Sequence, residues 1–301
     1  MSASKFTVEP GDEGRVDKVL AKHYPEAGRK QLAELFEAGE VRLRGKKAKK
    51  GSLVTPGDVI ELSREPISKE ALRPMPDPSI ELEILRETPL LIVVNKPAGV
   101  PSQPLKAGEL GMIANALAAR FPECVLLGDD PRDGGLVHRL DIGTSGVLAA
   151  ARTPEAYRFM REAFGQRKVH KEYLAITEGL PVSREMEVPL AQRGNHVVID
   201  HTDGLAAHTQ FTVLESTGTH ALVRCFAETG RMHQVRAHLA FANAPLAGDT
   251  LYKGSPVEAH PGFFLHAHKV VVPNPDGDVE MIAPIPARFT AAATALGLKL
   301  Q

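Results

Sequence analysis

The most informative stretch of this chain is residues 134–146, which read Gly-Gly-Leu-Val-His-Arg-Leu-Asp-Ile-Gly-Thr-Ser-Gly. Asp141 lies beside His138 and Arg139, and small polar residues typical of a turn follow it. Nearby cations favour the ionised form of a carboxylate. In an extended segment, Arg139 and Asp141 also share a face. Taken alone, the pattern is equally typical of a structural ion pair in a loop.

A basic surface and an aromatic side chain accompany this stretch. Residues 138–171 carry a net charge of +4. Tyr173 follows Lys171 in a segment, residues 169–177, whose alternation predicts a strand. Its ring either faces a site or belongs to the core.

A second polar segment, residues 229–239, reads Thr-Gly-Arg-Met-His-Gln-Val-Arg-Ala-His-Leu. We expect a helix over 231–242, which places His233 and Arg236 on one face. Arg231 and Arg236 could hold phosphates or a carboxylate through paired hydrogen bonds. A solvated polar face is the alternative.

The composition is that of an ordinary globular protein. The 301 residues include 36 basic and 37 acidic side chains, a formal net charge of −1 and 43% hydrophobic residues. These values exclude collagen-like, disordered and coiled-coil proteins, and they argue against a general polyanion binder. Cys124 and Cys225 lie too far apart for a disulfide scaffold. Residues 1–5 precede no apolar segment, and no apolar run spans a bilayer, so we expect a cytoplasmic protein with no membrane partner.

Periodicity predicts an α+β protein of two domains. A small helix–helix–strand domain is expected over residues 12–62, a linker with four prolines over 63–80, and a larger domain over 81–301. In the larger domain, strands are predicted over 91–94, 147–150, 169–177, 196–200, 208–214, 220–227 and 268–272, and helices over 113–119, from Pro154 and over 231–242. Because alternation predominates over strand–helix repeats, we expect a mostly antiparallel sheet with helices packed on it.

The small domain carries a local basic patch within a net charge of +2. The patch consists of Arg42, Arg44, Lys46, Lys47, Lys49 and Lys50. Such a patch can bind along a phosphate backbone. The alternative is a solvent-exposed lysine loop with no binding role. With Gly14-Arg15-Val16-Asp17, Gly28-Arg29-Lys30 and Pro56-Gly57-Asp58, the domain resembles the alpha-L RNA-binding domain of a small-subunit ribosomal protein. Arg44 stands where that family usually has Asn.

The larger domain resembles a family of enzymes. His138-Arg139-Leu140-Asp141 with Thr144-Ser145-Gly146 is similar to the signature of the RluA/RluC/RluD family of RNA pseudouridine synthases. Further matching segments follow the family's order: Val94-Asn95-Lys96-Pro97-Ala98-Gly99, Lys171-Glu172-Tyr173-Leu174-Ala175, Gly230-Arg231 through His238-Leu239, Gly248-Asp249 with Tyr252, and Leu265-His266-Ala267. The match runs from about residue 85 to 290. The chain departs from the family's pattern at Ser102-Gln103, Gly143 and Met232.

The resemblance implies a fold and a set of roles. The fold is a mixed, mostly antiparallel sheet with an active cleft across its middle. Asp141 would be the catalytic aspartate, Arg236 would pair with it, and Tyr173 would stack on the target base. The reaction detaches uracil from ribose at nitrogen 1 and rejoins it through carbon 5. Because no electrons are exchanged, no redox cofactor is predicted.

The resemblance also implies the partner, an RNA. The predicted RNA contacts are His138, Arg139, Lys96, Lys171, Arg231, His233 and the six residues of the basic patch. Large-subunit ribosomal RNA is the first expectation for the substrate, with tRNA as the alternative. We expect a monomer.

Other functional classes fit the residues less well. His233 and His238 are five residues apart, and His266 and His268 are two apart, so neither is the i,i+4 pair of a helical zinc site, and no metal is predicted. Residues 143–146 lack the spacing of a serine hydrolase motif. A non-catalytic RNA-binding or ribosome-assembly protein would share the basic patch, but it would not require Asp141, Tyr173 and Arg236 together.

Overall fold

The computed structural model describes residues 4–274 and 277–300, which form two compact units. One contains the chain up to Arg73 with Lys106–Gly108, and the other contains Pro74–Leu105 and the chain from Glu109. The division between the two units follows Arg73, which lies within the predicted linker. The predicted domain bounds of 12–62 and 81–301 stay predictions. Residues 1–3, part of the amino-terminal segment that precedes no apolar run, lie outside the described residues. Across the described ranges no helix is long and apolar enough to cross a bilayer.

The first unit consists of two short helices and short strands. Its elements are β1 (Ser4–Thr7), β2 (Gly14–Arg15), α1 (Val16–His23), α2 (Arg29–Glu37), β3 (Val41–Leu43), β4 (Lys46–Lys47), β5 (Leu53–Val54) and β6 (Val59–Leu62). The main sheet has the order β1-β6-β3-β4. Its core includes Leu20, Leu35 and Ile60, which are at most 1% exposed. Because β1 pairs with β6, the folded unit begins upstream of residue 12.

Arg44 and Gly45 form the two-residue turn of the β3–β4 hairpin. Both have a positive φ, 52° and 74°. Asn and Gly adopt this left-handed conformation most readily, so Arg44 occupies a position that suits the Asn of the alpha-L pattern. Arg44 Nη2 donates to Asp58 Oδ2 over 2.6 Å, and this bidentate pair occupies the guanidinium. Arg44 is therefore less available to a phosphate than its neighbours in the basic patch.

The second unit contains a large sheet with helices packed on it. Its strands are β7 (Ile84–Glu87), β8 (Leu91–Lys96), β9 (Ser145–Ala151), β10 (His170–Glu178), β11 (Glu185–Glu187), β12 (Leu190–Arg193), β13 (His196–Ile199), β14 (His208–Ser216), β15 (His220–Ala227), β16 (Leu265–Val272) and β17 (Val279–Ile282). Its helices are α3 (Ile113–Arg120), α4 (Pro154–Gly165), α5 (Gln234–Phe241) and α6 (Ala287–Ala295).

The sheet order is β11-β14-β15-β10-β16-β9-β8-β7, with β17 paired to β16. β9 and β16 run parallel, and the other pairs of this sheet run antiparallel. The predicted α+β fold with a mixed, mostly antiparallel sheet is therefore confirmed. β12 and β13 form a separate hairpin beside α5.

The centre of the sheet explains why the stretch 134–146 folds as it does. Every residue of β9 is buried, and several are alanines, because β9 lies between two strands and under α4. A Cβ at Gly146 would lie 2.2 Å from the carbonyl oxygen of Ala267 in β16, so only glycine permits this parallel pairing. α4 begins where predicted, since Thr153 Oγ1 accepts a hydrogen bond from the backbone N–H of Ala156. Asp141 therefore lies in a loop that leads directly into the buried strand β9.

The predicted helix over 231–242 was wrong at its start. α5 begins at Gln234, because His233 has a left-handed backbone with φ 52° and cannot continue a helix in that conformation. β16 begins at Leu265 and not at 268, while β11, β12, β17 and α6 lacked a sequence signal strong enough for prediction. β11 pairs with β14, from which β12 and β13 separate it in the chain, whereas β17 pairs with β16, the strand directly before it.

Candidate active site

Asp141 is half-buried and forms an ion pair with Arg236. Arg236 Nη1 donates to Asp141 Oδ2 over 3.1 Å. The same guanidinium makes a bidentate pair with Asp249, from Nε to Oδ2 over 2.7 Å and from Nη2 to Oδ1 over 3.0 Å. Asp249 is 1% exposed and Arg236 is 5% exposed. Arg236 is thus fixed by one carboxylate and presents its remaining nitrogen to another.

Two aromatic rings enclose the guanidinium of Arg236. Its Cζ atom lies 4.3 Å from the centre of the Phe263 ring and 5.2 Å from that of Tyr252. Ring faces attract cations, and packing against two rings restricts the rotation of a long side chain. The acidic partners raise the pKa of Arg236 in spite of its burial. The arginine is therefore held charged and in one orientation.

His233 lies next to the same carboxylate, although it precedes α5. Its Nε2 atom is 4.0 Å from Asp141 Oδ2, and its Nδ1 atom is 3.0 Å from the hydroxyl of Tyr252. Burial lowers the pKa of His233. The expected proximity of His233 and Arg236 is therefore observed, but a left-handed turn and not an i,i+3 helical spacing creates it.

Tyr173 enters the site from β10 in the middle of the sheet. The register against β16 shifts between Glu172 and Tyr173, which marks a bulge at this point. The ring packs against two apolar clusters, and both burial and the negative charge of Asp141 raise the pKa of its hydroxyl. A neutral aromatic ring therefore stands close to the carboxylate.

Comparison with known proteins places this arrangement in a family. The family model described as RNA pseudouridylate synthase matches residues 90–241, about half of the chain. A Xylella fastidiosa protein named ribosomal large subunit pseudouridine synthase D is 36% identical over 255 residues, which cover 83% of this chain and 74% of that protein. The chain belongs to the RNA pseudouridylate synthase family. The Xanthomonas campestris protein of the same name is 33% identical over 244 residues, 80% of this chain and 72% of that one.

A solved structure agrees with this assignment. The structure named human RNA pseudouridylate synthase domain containing 4 is 25% identical in sequence and has a TM-score of 0.60. The alignment covers 72% of this chain and 94% of the human chain. The predicted family and enzyme class, an isomerase acting on RNA, are therefore confirmed.

Lys96 is the clearest difference between prediction and structure in this synthase. Its side chain is fully buried at the end of β8. The ammonium donates to the carbonyl oxygens of Pro97, Val100 and Ile142 over 2.9, 2.6 and 3.1 Å. Burial lowers its pKa to about 7, while Asp141 raises it. Lys96 therefore ties two loops together behind Asp141, which corrects its assignment as a direct RNA contact.

His138 and Arg139 are the two predicted RNA contacts that lie closest to Asp141 in the sequence. His138 Nε2 accepts the backbone N–H of Ala149 over 3.1 Å, and the ring stacks on Phe164. Burial lowers its pKa to about 3, so the ring is neutral, and these two contacts hold the loop. The contact of His138 with RNA stays a prediction. Arg139 is exposed and remains a candidate RNA contact. The cation that pairs with Asp141 is Arg236, the partner that the family resemblance implies.

Lys171 and Arg231 are two further predicted RNA contacts, and they act on each other electrostatically. Lys171 is 8% exposed, and its ammonium donates to the carbonyl oxygen of Thr229 over 2.7 Å. Burial, followed by the positive charge of Arg231, lowers the pKa of Lys171 to about 8. Arg231 Nε donates to the carbonyl oxygen of Ala206. Both cations bind carbonyl oxygens, an arrangement that favours the approach of an anion.

Sequence reasoning missed the roles of three residues in this synthase. It noted Gly248-Asp249 and Tyr252 only as matching segments, and it did not single out Phe263. All three contact Arg236, but they lie 13 to 27 positions further along the chain. The buried Arg–Asp pair leaves no periodic signal, so the matching segment was the one available clue. Over the described residues, no group of three or more His, Cys, Asp or Glu is placed to hold a metal ion.

Gly143, a departure from the family's pattern, is explained by the aromatic enclosure. A Cβ atom at this position would lie 2.7 Å from two ring atoms of Phe263. Gly143→Ala is therefore expected to push Phe263 off the guanidinium of Arg236, lowering kcat about tenfold and stability by about 1–3 kcal/mol. Chemical denaturation and kinetics measure the two effects. Gly165→Ala is the matched control, because its Cβ would meet nothing within 4 Å. Equal behaviour of the two variants would contradict this role of Gly143.

Proposed function

We propose that this chain converts uridine to pseudouridine in large-subunit ribosomal RNA, with Asp141 as the catalytic aspartate. The Xylella and Xanthomonas relatives both carry a name that specifies the large ribosomal subunit. The basic patch of the first unit, exposed at Arg42, Lys46, Lys47, Lys49 and Lys50, supports a structured RNA as substrate.

The observation that carries the proposal is the 3.1 Å contact of Arg236 with Asp141, made by an arginine that Asp249 already holds. A carboxylate next to a sugar can stabilise oxocarbenium-like charge or attack a carbon, as in glycoside cleavage. Uracil then leaves from nitrogen 1, turns and bonds to the same ribose carbon through its carbon 5. The proton on carbon 5 is lost and nitrogen 1 gains one, so the product is an isomer.

Tyr173 supplies the surface for the target base in this proposal. A uridine must leave its stack to reach Asp141, at a cost of a few kcal/mol, and an aromatic platform offsets part of that cost. The ring packs against two apolar clusters and lies within electrostatic range of Asp141. The same apolar surroundings would keep water away from a detached base.

Lys171, Arg231 and exposed Arg139 are proposed to hold the RNA backbone around that uridine. The first two act on each other electrostatically. Phosphate contacts of this type position a substrate without reading its sequence. The choice of uridine therefore depends on RNA shape and on contacts beyond these three residues.

The basic patch gives a prediction that can be measured by binding alone. Replacing Lys46, Lys47, Lys49 and Lys50 together by Gln is expected to weaken RNA binding. The slope of log affinity against log salt should fall by about one unit for each phosphate that the variant no longer neutralises. Lys5→Gln serves as a control, because the ammonium of Lys5 pairs with Glu61 over 3.1 Å. An unchanged slope in the fourfold variant would mean that the patch is a solvated surface.

The substrate itself is tested by mapping pseudouridines after the purified protein has acted on RNA. Unmodified large-subunit ribosomal RNA and unmodified tRNA are incubated separately, and pseudouridines are located by carbodiimide labelling. New sites in the ribosomal RNA alone are expected. Sites in tRNA alone would support the alternative tRNA synthase. Modification of neither RNA would contradict both substrates, and RNA binding without modification would favour an assembly role.

The cytoplasmic location and the monomeric state stay predictions. Co-fractionation of the native protein with large-subunit precursors, and its mass in solution, would test them.

A further inference from the structure

His233 bridges two polar groups of the site in a conformation that its backbone does not favour. Its Nδ1 atom lies 3.0 Å from the hydroxyl oxygen of Tyr252, and its Nε2 atom lies 4.0 Å from Asp141 Oδ2. The two rings meet edge to face, at an interplanar angle of 86°. A positive φ, here 52°, is uncommon for residues other than glycine.

The hydrogen bonds of Tyr252 determine which nitrogen of His233 carries the proton. The backbone N–H of Val197 donates to the tyrosine hydroxyl oxygen over 2.9 Å. With that donor in place, the hydroxyl proton is directed to His233 Nδ1, the other polar atom within hydrogen-bond distance among the described residues. A neutral imidazole has one acceptor and one donor nitrogen. If Nδ1 accepts from Tyr252 in this way, the hydrogen of a neutral His233 is on Nε2, the nitrogen that lies 4.0 Å from Asp141 Oδ2.

The charges around His233 keep the ring neutral. Burial and the positive charge of Arg236 lower its pKa, and His196 acts in the same direction. Asp141 and Asp249 oppose this effect, but the pKa remains below its ordinary value. Tyr252, which is packed against the ring, has a raised pKa and stays protonated.

We infer that His233 is a positioning residue for Asp141, whose Nε2–H is aimed at Oδ2 so that Oδ1 is left to face the substrate. The inference rests on the proposed function, because it assigns the reacting oxygen of the proposed catalytic carboxylate. Arg236 also donates to Oδ2, so both partners lie on one oxygen. Hydrogen bonds that are long without substrate often shorten once it binds, which accommodates the 4.0 Å separation.

Two substitutions at position 233 separate this role from a structural one. The terminal amide nitrogen of Gln can take the place of Nε2 and donate to Asp141. The amide of Asn reaches only the place of Nδ1, but Asn tolerates the left-handed backbone better. A purely structural role therefore predicts that Asn is the better replacement, whereas the positioning role predicts that Gln is.

The kinetic test compares His233→Gln and His233→Asn on the RNA that the wild type modifies. We expect kcat to fall less than tenfold for Gln and about 100-fold for Asn, with KM nearly unchanged in both. Thermal unfolding of the two variants shows whether Asn is the more stable. An Asn variant that is as active as the Gln variant, or more active, would overturn the inference.

A measurement without RNA tests the proton order itself. Nitrogen-15 labelling of the histidines, with the His233 signal identified by its disappearance in His233→Gln, distinguishes the two neutral tautomers by NMR. The Nε2–H form is expected at neutral pH, and Tyr252→Phe should weaken that preference. A dominant Nδ1–H form in the wild type would overturn the inference. If the Nε2–H form were found in a protein that modifies no RNA, the proposed function would fail and the proton order would stand.

Discussion

Replacing Asp141 by Asn is expected to lower the rate of pseudouridine formation about 10⁴-fold while leaving RNA binding nearly unchanged. Asn has the same shape and its amide oxygen can still accept the hydrogen bond from Arg236, which now spans 3.1 Å. It has no negative charge to stabilise a developing oxocarbenium ion or to attack a carbon. The substitution therefore removes the chemistry and keeps the surface of the site.

Carbodiimide mapping of RNA treated with wild type or Asp141→Asn gives the rate, and filter binding on the same RNA gives the affinity. Asp278→Asn is the control, because Asp278 is an exposed carboxylate of the same unit. It should modify RNA at the wild-type rate. Identical pseudouridine maps for wild type and Asp141→Asn would show that Asp141 is not the catalytic residue.

Asp249→Asn is expected to produce the second largest effect, a fall in kcat of about 100-fold. Asp249 is 1% exposed, and its carboxylate accepts two hydrogen bonds from Arg236. Without this negative charge, Arg236 is a buried cation whose remaining acidic partner is the half-exposed Asp141. Stability should fall by about 3 kcal/mol, since breaking a buried ion pair leaves one charge uncompensated. Arg236 would then no longer be aimed at Asp141.

Kinetics and chemical denaturation on the same preparation separate the two effects of Asp249→Asn. Asp200→Asn provides the control, because Asp200 pairs with Arg193 at the surface and such pairs contribute at most about 1 kcal/mol. If Asp249→Asn does not fold, Asp249→Glu, which keeps the charge and moves it, should fold and still lose activity. A folded Asp249 variant with wild-type kcat would show that Arg236 needs no such support.

Features that depend on residues close together in the sequence were predicted correctly, whereas features that depend on distant residues were not. β15 was predicted at its observed bounds, and α3 and α4 were predicted at their starts, because each depends on local periodicity and on capping residues such as Thr153. The start of α5 was misplaced because nothing local requires the left-handed backbone of His233. That conformation accompanies contacts with Tyr252 and Asp141, which are distant in sequence.

The basic residues illustrate a second limit. A lysine can be an exposed charge or a buried hydrogen-bond donor, and the sequence does not distinguish these two environments. Lys96 is fully buried on three carbonyl oxygens, whereas Lys46 is exposed on a hairpin. The difference depends on which loops pack against β8.

The linear sequence was sufficient to determine the enzyme family, the mostly antiparallel α+β fold and the three segments that carry Asp141, Tyr173 and Arg236. These features are encoded in short motifs and in alternation, which do not depend on distant neighbours. Only the tertiary structure identified Asp249, Phe263 and Tyr252 as contacts of Arg236. The pairing of Asp141 with Arg236, which the family resemblance had already implied, is observed at 3.1 Å. Ion pairs and ring contacts join residues by distance in space, and that distance is set by how β16, α5 and the loop before β9 pack together.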